Sequence, residues 1–373
     1  MKTPRLSFLC ICAIVTLCIA SCVNTSTEEI KTSVTRARYA RLFTYQEDSL
    51  YTYVNVYLPQ DTTQVFRTYL LHRQDTPPPV GADTIAVRIP LEEIGCAHST
   101  QIGFIKALDE LERITCVGDV NLLEKKSVLA GRKDLGEFFN GWTFDIERLL
   151  SISPDAVFFT PYGNEDIASI ERSVRTALLL DMSAWESHPL ARSEWIKFTA
   201  LFLDKLPQAD SIFNAIEEKY NSVKESASHK DKRPVVISQL PYEGVWYIPS
   251  GGSYKGILYR DSGLSYPWEE ESGTGSLTVA FEKMLSVAHS ADVWFIESGL
   301  NSTPTLSSIA QQNPLYKHFR PFNEKKIYVC DTEAVLYFED GILEPHFILE
   351  DYVNLSHGVK DYTPHYYFPI KDE

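Results

Sequence analysis

Residues 206–230, LPQADSIFNAIEEKYNSVKESASHK, decide how the rest of the chain is arranged. Ile212, Phe213, Ile216, Tyr220 and Val223 recur at three- and four-residue steps, which makes one apolar stripe on a helix. Glu217, Glu218, Lys219, Lys224 and Glu225 lie off that stripe. Pro207 suits the first turn, where its missing N–H costs little, and Pro234 stops anything continuing past Arg233. About 20 helical residues span roughly 30 Å, the width of a small domain. Strand–helix alternation flanks the stretch on both sides, so residues 207–233 read as a stiff connecting helix between two lobes. The plainer alternative is one packed helix inside a single α/β domain.

Before the helix, residues 85–206 run strand, loop, helix. Ile94-Gly95-Cys96-Ala97 ends a short strand, and His98-Ser99-Thr100 is a turn whose hydroxyls can cap a helix over 101–111. Ile114–Val117, Ala156–Phe159 and Ala177–Leu180 are further strands, with helices after Asp145, Asn164 and Arg192. After it, residues 234–358 repeat the rhythm. Val235–Ser238, Val245–Ile248, Val293–Ile296 and Ile327–Cys330 read as strands, with helices over 278–288 and 345–355. Residues 359–373 are left as a C-terminal tail. The expected fold class is α/β: two β/α lobes with mainly parallel sheets, joined by the single long helix. Ligands collect beyond strand carboxyl ends in such sheets, which singles out His98, Tyr162, Trp185 and the Trp246–Tyr247 region.

The N-terminal part differs. Lys2 and Arg5 precede an apolar run from Phe8 to Ala20, too short for a membrane span. It ends in Leu17-Cys18-Ile19-Ala20-Ser21-Cys22, so residues 1–22 read as a lipoprotein signal with Cys22 as the lipidated residue. The alternative is a plain secretory signal cleaved near Ala20 or Ser21. Residues 23–84 comprise a polar tether and an antiparallel β extension, in which runs around 39–45, 50–58 and 65–71 alternate and are rich in aromatic and β-branched residues.

The 373 residues carry 50 acidic against 35 basic side chains, a net charge of −15. No basic cluster is visible, which argues against nucleic-acid binding. Of seven cysteines, Cys96, Cys116 and Cys330 remain beyond the signal. Buried free thiols are the expected state, with a Cys96–Cys116 bridge the alternative. The chain has no G-x-S-x-G elbow, H-E-x-x-H pair or P-loop lysine, so no catalytic residue is assigned and no enzyme is expected. No metal ligand set and no cofactor are assigned either.

Two phrases then carry a resemblance. Asp145-Ile146-Glu147-Arg148-Leu149-Leu150-Ser151-Ile152-Ser153-Pro154-Asp155-Ala156-Val157-Phe158 has a counterpart in residues 281–295, which open Phe281-Glu282-Lys283-Met284-Leu285 and close Ala291-Asp292-Val293-Trp294-Phe295. With the strand–helix–strand over 94–119, they are similar to the class III substrate-binding proteins of ABC importers. That family carries iron–siderophore complexes, haem and vitamin B12, and the resemblance covers roughly residues 85–358. It implies a monomeric, lipid-anchored protein in the cell envelope that captures a small-molecule metal chelate between its lobes. Iron–siderophore or haem is the first expectation. Cobalamin or a bare metal ion is the alternative, and a secreted hydrolase is a more distant one. It implies handover to a membrane permease through one surface glutamate per lobe, here Glu147 and Glu282. It also implies an aromatic-walled ligand site at His98, Trp142, Tyr162, Trp185, Trp246 and Tyr247. Arg132, Lys133 and Arg260 lie in or near the same loops, either as partners for an anionic chelate or as plain surface charges. The strands over 38–72 are not part of the family's common core.

Overall fold

The computed structural model describes residues 34–76, 78, 84–141, 143–163, 165–299 and 303–373. Residues 1–22, expected to be a signal ending in Cys22, and Trp142 lie outside the described residues.

Two central sheets organise the molecule. In the first, the strands Ala177–Leu180, Ala156–Phe159, Ile94–Cys96, Ile114–Val117 and Gly136–Glu137 lie side by side, all parallel. Ala156–Phe159 is buried at every position, as an apolar run covered on both faces must be. In the second, Val236–Ser238, Val293–Ser298 and Ile327–Asp331 are parallel, and Phe368–Pro369 closes the edge antiparallel to Ile327–Asp331. Residues 359–373 are therefore not a loose tail. The carboxylate of Asp351 accepts the N–H groups of His365, Tyr366 and Tyr367, and the Tyr367 ring is wholly buried.

The connecting helix runs Leu206–Ser228 and buries Ala209, Phe213, Ile216, Tyr220 and Ala227. It packs on Ile196–Leu203 at the first sheet's side, and on Tyr254–Asp261 and Pro345–Ser356 at the second's. It stops five residues short of Arg233 because residues 229–233 are exposed and polar, leaving no stripe to bury. Residues 34–373 form one compact unit.

The N-terminal extension is a five-stranded sheet of Thr35–Arg36, Phe43–Glu47, Thr52–Leu58, Asp61–His72 and Ile85–Arg88. Its last strand pairs parallel with Asp61–His72, so Ile85–Arg88 belongs to the extension rather than opening the first lobe. Phe43, Val54, Val56, Tyr69 and Leu71 form its buried face. That face packs on Trp195, Phe198 and Phe202. The Tyr69 hydroxyl donates to Leu178 O (2.7 Å) and accepts from Leu180 N (2.9 Å). It thereby serves backbone groups that the edge strand Ala177–Leu180 would otherwise leave open. Two buried carboxylates fasten the extension's start. Glu194, 0% exposed, accepts from Arg38 N, Tyr39 N and Ala40 N, while Glu186 accepts from Arg41 N and Leu42 N.

Cys96, Cys116 and Cys330 are free and buried. The Cys96–Cys116 alternative fails on register: Cys116 sits opposite Gly95 and Cys96 opposite Val117, so the two thiols point to opposite faces of the sheet.

Candidate ligand-binding cleft

A cavity of about 580 Å³ lies between the carboxyl ends of the two sheets. From the first sheet it is lined by His98 and Thr100 beyond Ile94–Cys96, by Asp119 and Glu124 beyond Ile114–Val117, and by Tyr162 beyond Ala156–Phe159. From the second it is lined by Gly299 beyond Val293–Ser298, and by Thr332, Glu333 and Phe338 beyond Ile327–Asp331.

His98 is the N-cap of the helix Ser99–Ala107, with extended backbone, so the helix starts two residues before the expected Gln101. The Gln101 side chain reaches back to accept from His98 N (3.0 Å), and its amide donates to Thr160 Oγ1 (3.1 Å). The imidazole is held edge-on to Tyr162 at 5.5 Å. Burial pushes its pKa down to about 4, so it is neutral at physiological pH, and its buried Nδ1 has no hydrogen-bond partner. Tyr162 is 52% exposed. Trp185 backs it at 6.3 Å between ring centroids and is anchored by its indole N–H donating to Pro161 O. His98, Tyr162 and Trp185 thus form one continuous aromatic rim, with His98 and Tyr162 facing the cavity.

The second-lobe candidates do not join them. Trp246 is 1% exposed; its ring packs on Trp294 and Phe319 and its N–H donates to Ser238 O. It is a core residue with no face open to a ligand. The strand Trp246–Pro249 pairs antiparallel with Ser276–Val279 in a separate two-stranded sheet, where a helix start was expected. Period-two alternation on it turns Tyr247 outward, exposed but away from the cavity. The aromatic supplied by the second lobe is Phe338, 46% exposed. Of the basic candidates, Arg132 pairs with Asp134 and Arg260 lies 3.9 Å from Asp261; neither these nor Lys133 lines the cavity.

Phe338 is set in place by a strap, the π-helical turn Tyr337–Gly341, which crosses onto the first lobe. Glu124 accepts from Phe338 N (3.0 Å) and Glu339 N (2.8 Å), and Thr100 Oγ1 donates to Phe338 O (3.0 Å). Lys106 Nζ bridges Asp340 at 2.7 Å and Glu339 at 3.2 Å. The crossing is close: a Cβ at Gly103 would stand 1.6 Å from Glu339 O. Burial pushes the Glu124 carboxyl up to about 7 against the pull of its two N–H donors. Phe338, Glu124, Asp119 and Thr332 were not expected from sequence. The usable signal was position alone, since all four follow strand carboxyl ends.

Glu147 and Glu282 occupy equivalent places. Each is the second residue of its helix, Ile146–Ile152 and Phe281–Ala288, and each is exposed. A carboxylate in a first turn is favoured by the helix dipole. Among the described residues no His, Cys, Asp or Glu groups converge as a metal ligand set. Nor is any described helix long and apolar enough to cross a membrane.

Comparison with known proteins places this fold in a family. The periplasmic binding protein family model matches residues 94–334. The chain belongs to that family. An uncharacterized lipoprotein of Methanocaldococcus jannaschii is 26% identical over 311 residues, covering 78% of this chain and 72% of its own. Among solved structures, the periplasmic haem-binding protein HutB of Vibrio cholerae aligns with TM-score 0.56 at 17% identity, over 72% of this chain and 98% of its own. The triscatecholate siderophore-binding protein FeuA of Bacillus subtilis, complexed with ferri-bacillibactin, aligns with TM-score 0.56 at 17% identity, over 73% and 94%. The match begins at the first strand of the parallel sheet, so the extension over 34–88 precedes it.

Proposed function

We propose that this chain is the extracytoplasmic, lipid-anchored receptor of an ABC importer, capturing a metal chelate in the cleft and releasing it unchanged to a membrane permease. The observation that carries the reading is the cavity between both sets of strand ends, with Tyr162 and Phe338 facing it from opposite lobes. A cavity of this size suits a compact small molecule. Flat ring faces suit a macrocycle or chelating aromatic group, each stacking contact adding about 1 kcal/mol beyond burial. Family membership supports the reading, as do the haem and ferri-bacillibactin bound by two structural relatives. Cys22 would hold the anchor and Glu147 with Glu282 the permease contact. The strap and the connecting helix both tie the lobes, so ligand should draw them together by only a few degrees. Native mass spectrometry with an absorbance scan, after incubation with ferric siderophores, haem and cobalamin, tests it. A coloured complex that weakens in Tyr162→Ala and Phe338→Ala is expected; absence of binding across the panel would remove the proposal.

A further inference from the structure

We infer that the cleft selects a chelate of zero or positive net charge, rich in hydrogen-bond donors, over an anionic one. This rests on reading the cleft as a chelate site. Among the described residues lining the cavity, the only lysine or arginine is Lys125, and its ammonium is paired with Glu333 at 2.7 Å. His98 is neutral. Asp119 and Glu124 are the remaining ionisable acids of the lining; burial lifts the Glu124 carboxyl to about 7, so the wall's excess negative charge at neutral pH rests chiefly on Asp119.

The cations near the cleft are held by other partners. Lys106 is bound to Asp340 and Glu339. Arg192 donates to the carbonyls of Glu186 (2.8 Å) and Ala184 (2.7 Å), and its guanidinium lies 4.2 Å from the Tyr254 ring centroid. Lys255 is paired with Glu297. The opposing features are the N-terminus of the helix Ser99–Ala107, which faces the cavity, and Arg192, whose carbonyl partners leave its charge uncancelled but which does not line the cavity. A helix end is equivalent to about half a positive charge, less than the Asp119 carboxylate alone. An anionic chelate would therefore lose its hydration against like charge, and the net charge of −15 would slow its approach. A donor-rich ligand instead meets carboxylate oxygens and the Thr100 and Thr332 hydroxyls.

The test titrates the intact chain, by quenching of its own fluorescence, with four probes: the ferric trihydroxamate monocation ferrioxamine B, neutral cyanocobalamin, haem, and a ferric tris-catecholate trianion. Each is run at low and high salt. Asp119→Asn removes charge but keeps an N-cap side chain for Val120–Leu122. The cationic or the neutral probe should bind at least about tenfold more tightly than the trianion, the size expected of one close unit-charge interaction. Salt should weaken the cation and strengthen the trianion. Asp119→Asn should narrow the gap between the cation and the trianion. Equal or tighter binding of haem or the trianion overturns the charge inference and leaves the chelate reading standing. Failure of every probe to bind the unmodified chain overturns both.

Discussion

Gly103→Ala is the sharpest perturbation available. The added methyl carbon would sit 1.6 Å from Glu339 O and 2.7 Å from Glu339 C, both backbone atoms that no rotamer change can move. Ordinary contact needs roughly twice the shorter distance, so the strap must lift off the helix. Lifting it breaks the two N–H bonds to Glu124 and the Thr100–Phe338 bond. Hydrogen bonds to charged groups contribute about 1.5–3 kcal/mol each and neutral ones about 1. Partial relaxation and rehydration recover some of that, and alanine's better helix propensity returns up to about 1 kcal/mol. A net loss of about 2–4 kcal/mol follows, in the range of overpacked sites. Thermal denaturation should show Tm lowered by about 5 °C. Ligand affinity should fall with it, because Phe338 leaves the cavity wall. Gly275→Ala, with nothing within 4 Å of the new carbon, is the matched control and should change stability by less than about 0.5 kcal/mol. A Gly103→Ala chain as stable as the parent, with unaltered affinity, refutes the strap as the element joining the lobes.

Glu194→Ala should strand the N–H groups of Arg38, Tyr39 and Ala40 and cost about 2–4 kcal/mol, seen in denaturant unfolding and in faster proteolytic loss of the extension. Glu124 gives a pH signature with a definite sign. Its folded pKa of about 7 lies above the ordinary 4.5, so the protonated carboxyl is favoured by folding and stability is lost as pH rises from 4.5 through 7. The loss is on the order of 3 kcal/mol at most, read as the difference between the parent and Glu124→Gln from pH 5 to 8; a difference independent of pH contradicts it. Charge reversal of Glu147 and Glu282 to lysine should leave ligand affinity intact while uptake through the permease collapses, and unchanged uptake would remove their docking role.

Much of the architecture could be read locally. The stripe Phe213, Ile216, Tyr220 stated the connecting helix, and buried runs such as Ala156–Phe159 stated parallel strands. His98 and Tyr162 were found because a turn after an apolar strand marks a carboxyl end. Trp246 was misassigned because a strand's pattern shows that its faces differ, not which one meets the core. The pairing with Ser276–Val279, decided at a distance, turned the indole inward.

The amino-acid order alone therefore determined the elements, their succession and the end of each sheet where a ligand can sit, because periodicity and strand direction are short-range properties. Only the tertiary structure decided what closes the cleft and what charge it presents. Phe338 and Glu124 meet across 214 positions, at a crossing Gly103 alone leaves room for. Whether a cation lining the cleft is free or paired depends on partners as remote as Glu333 from Lys125. Such contacts depend on how distant segments pack, and no local pattern of residues encodes them.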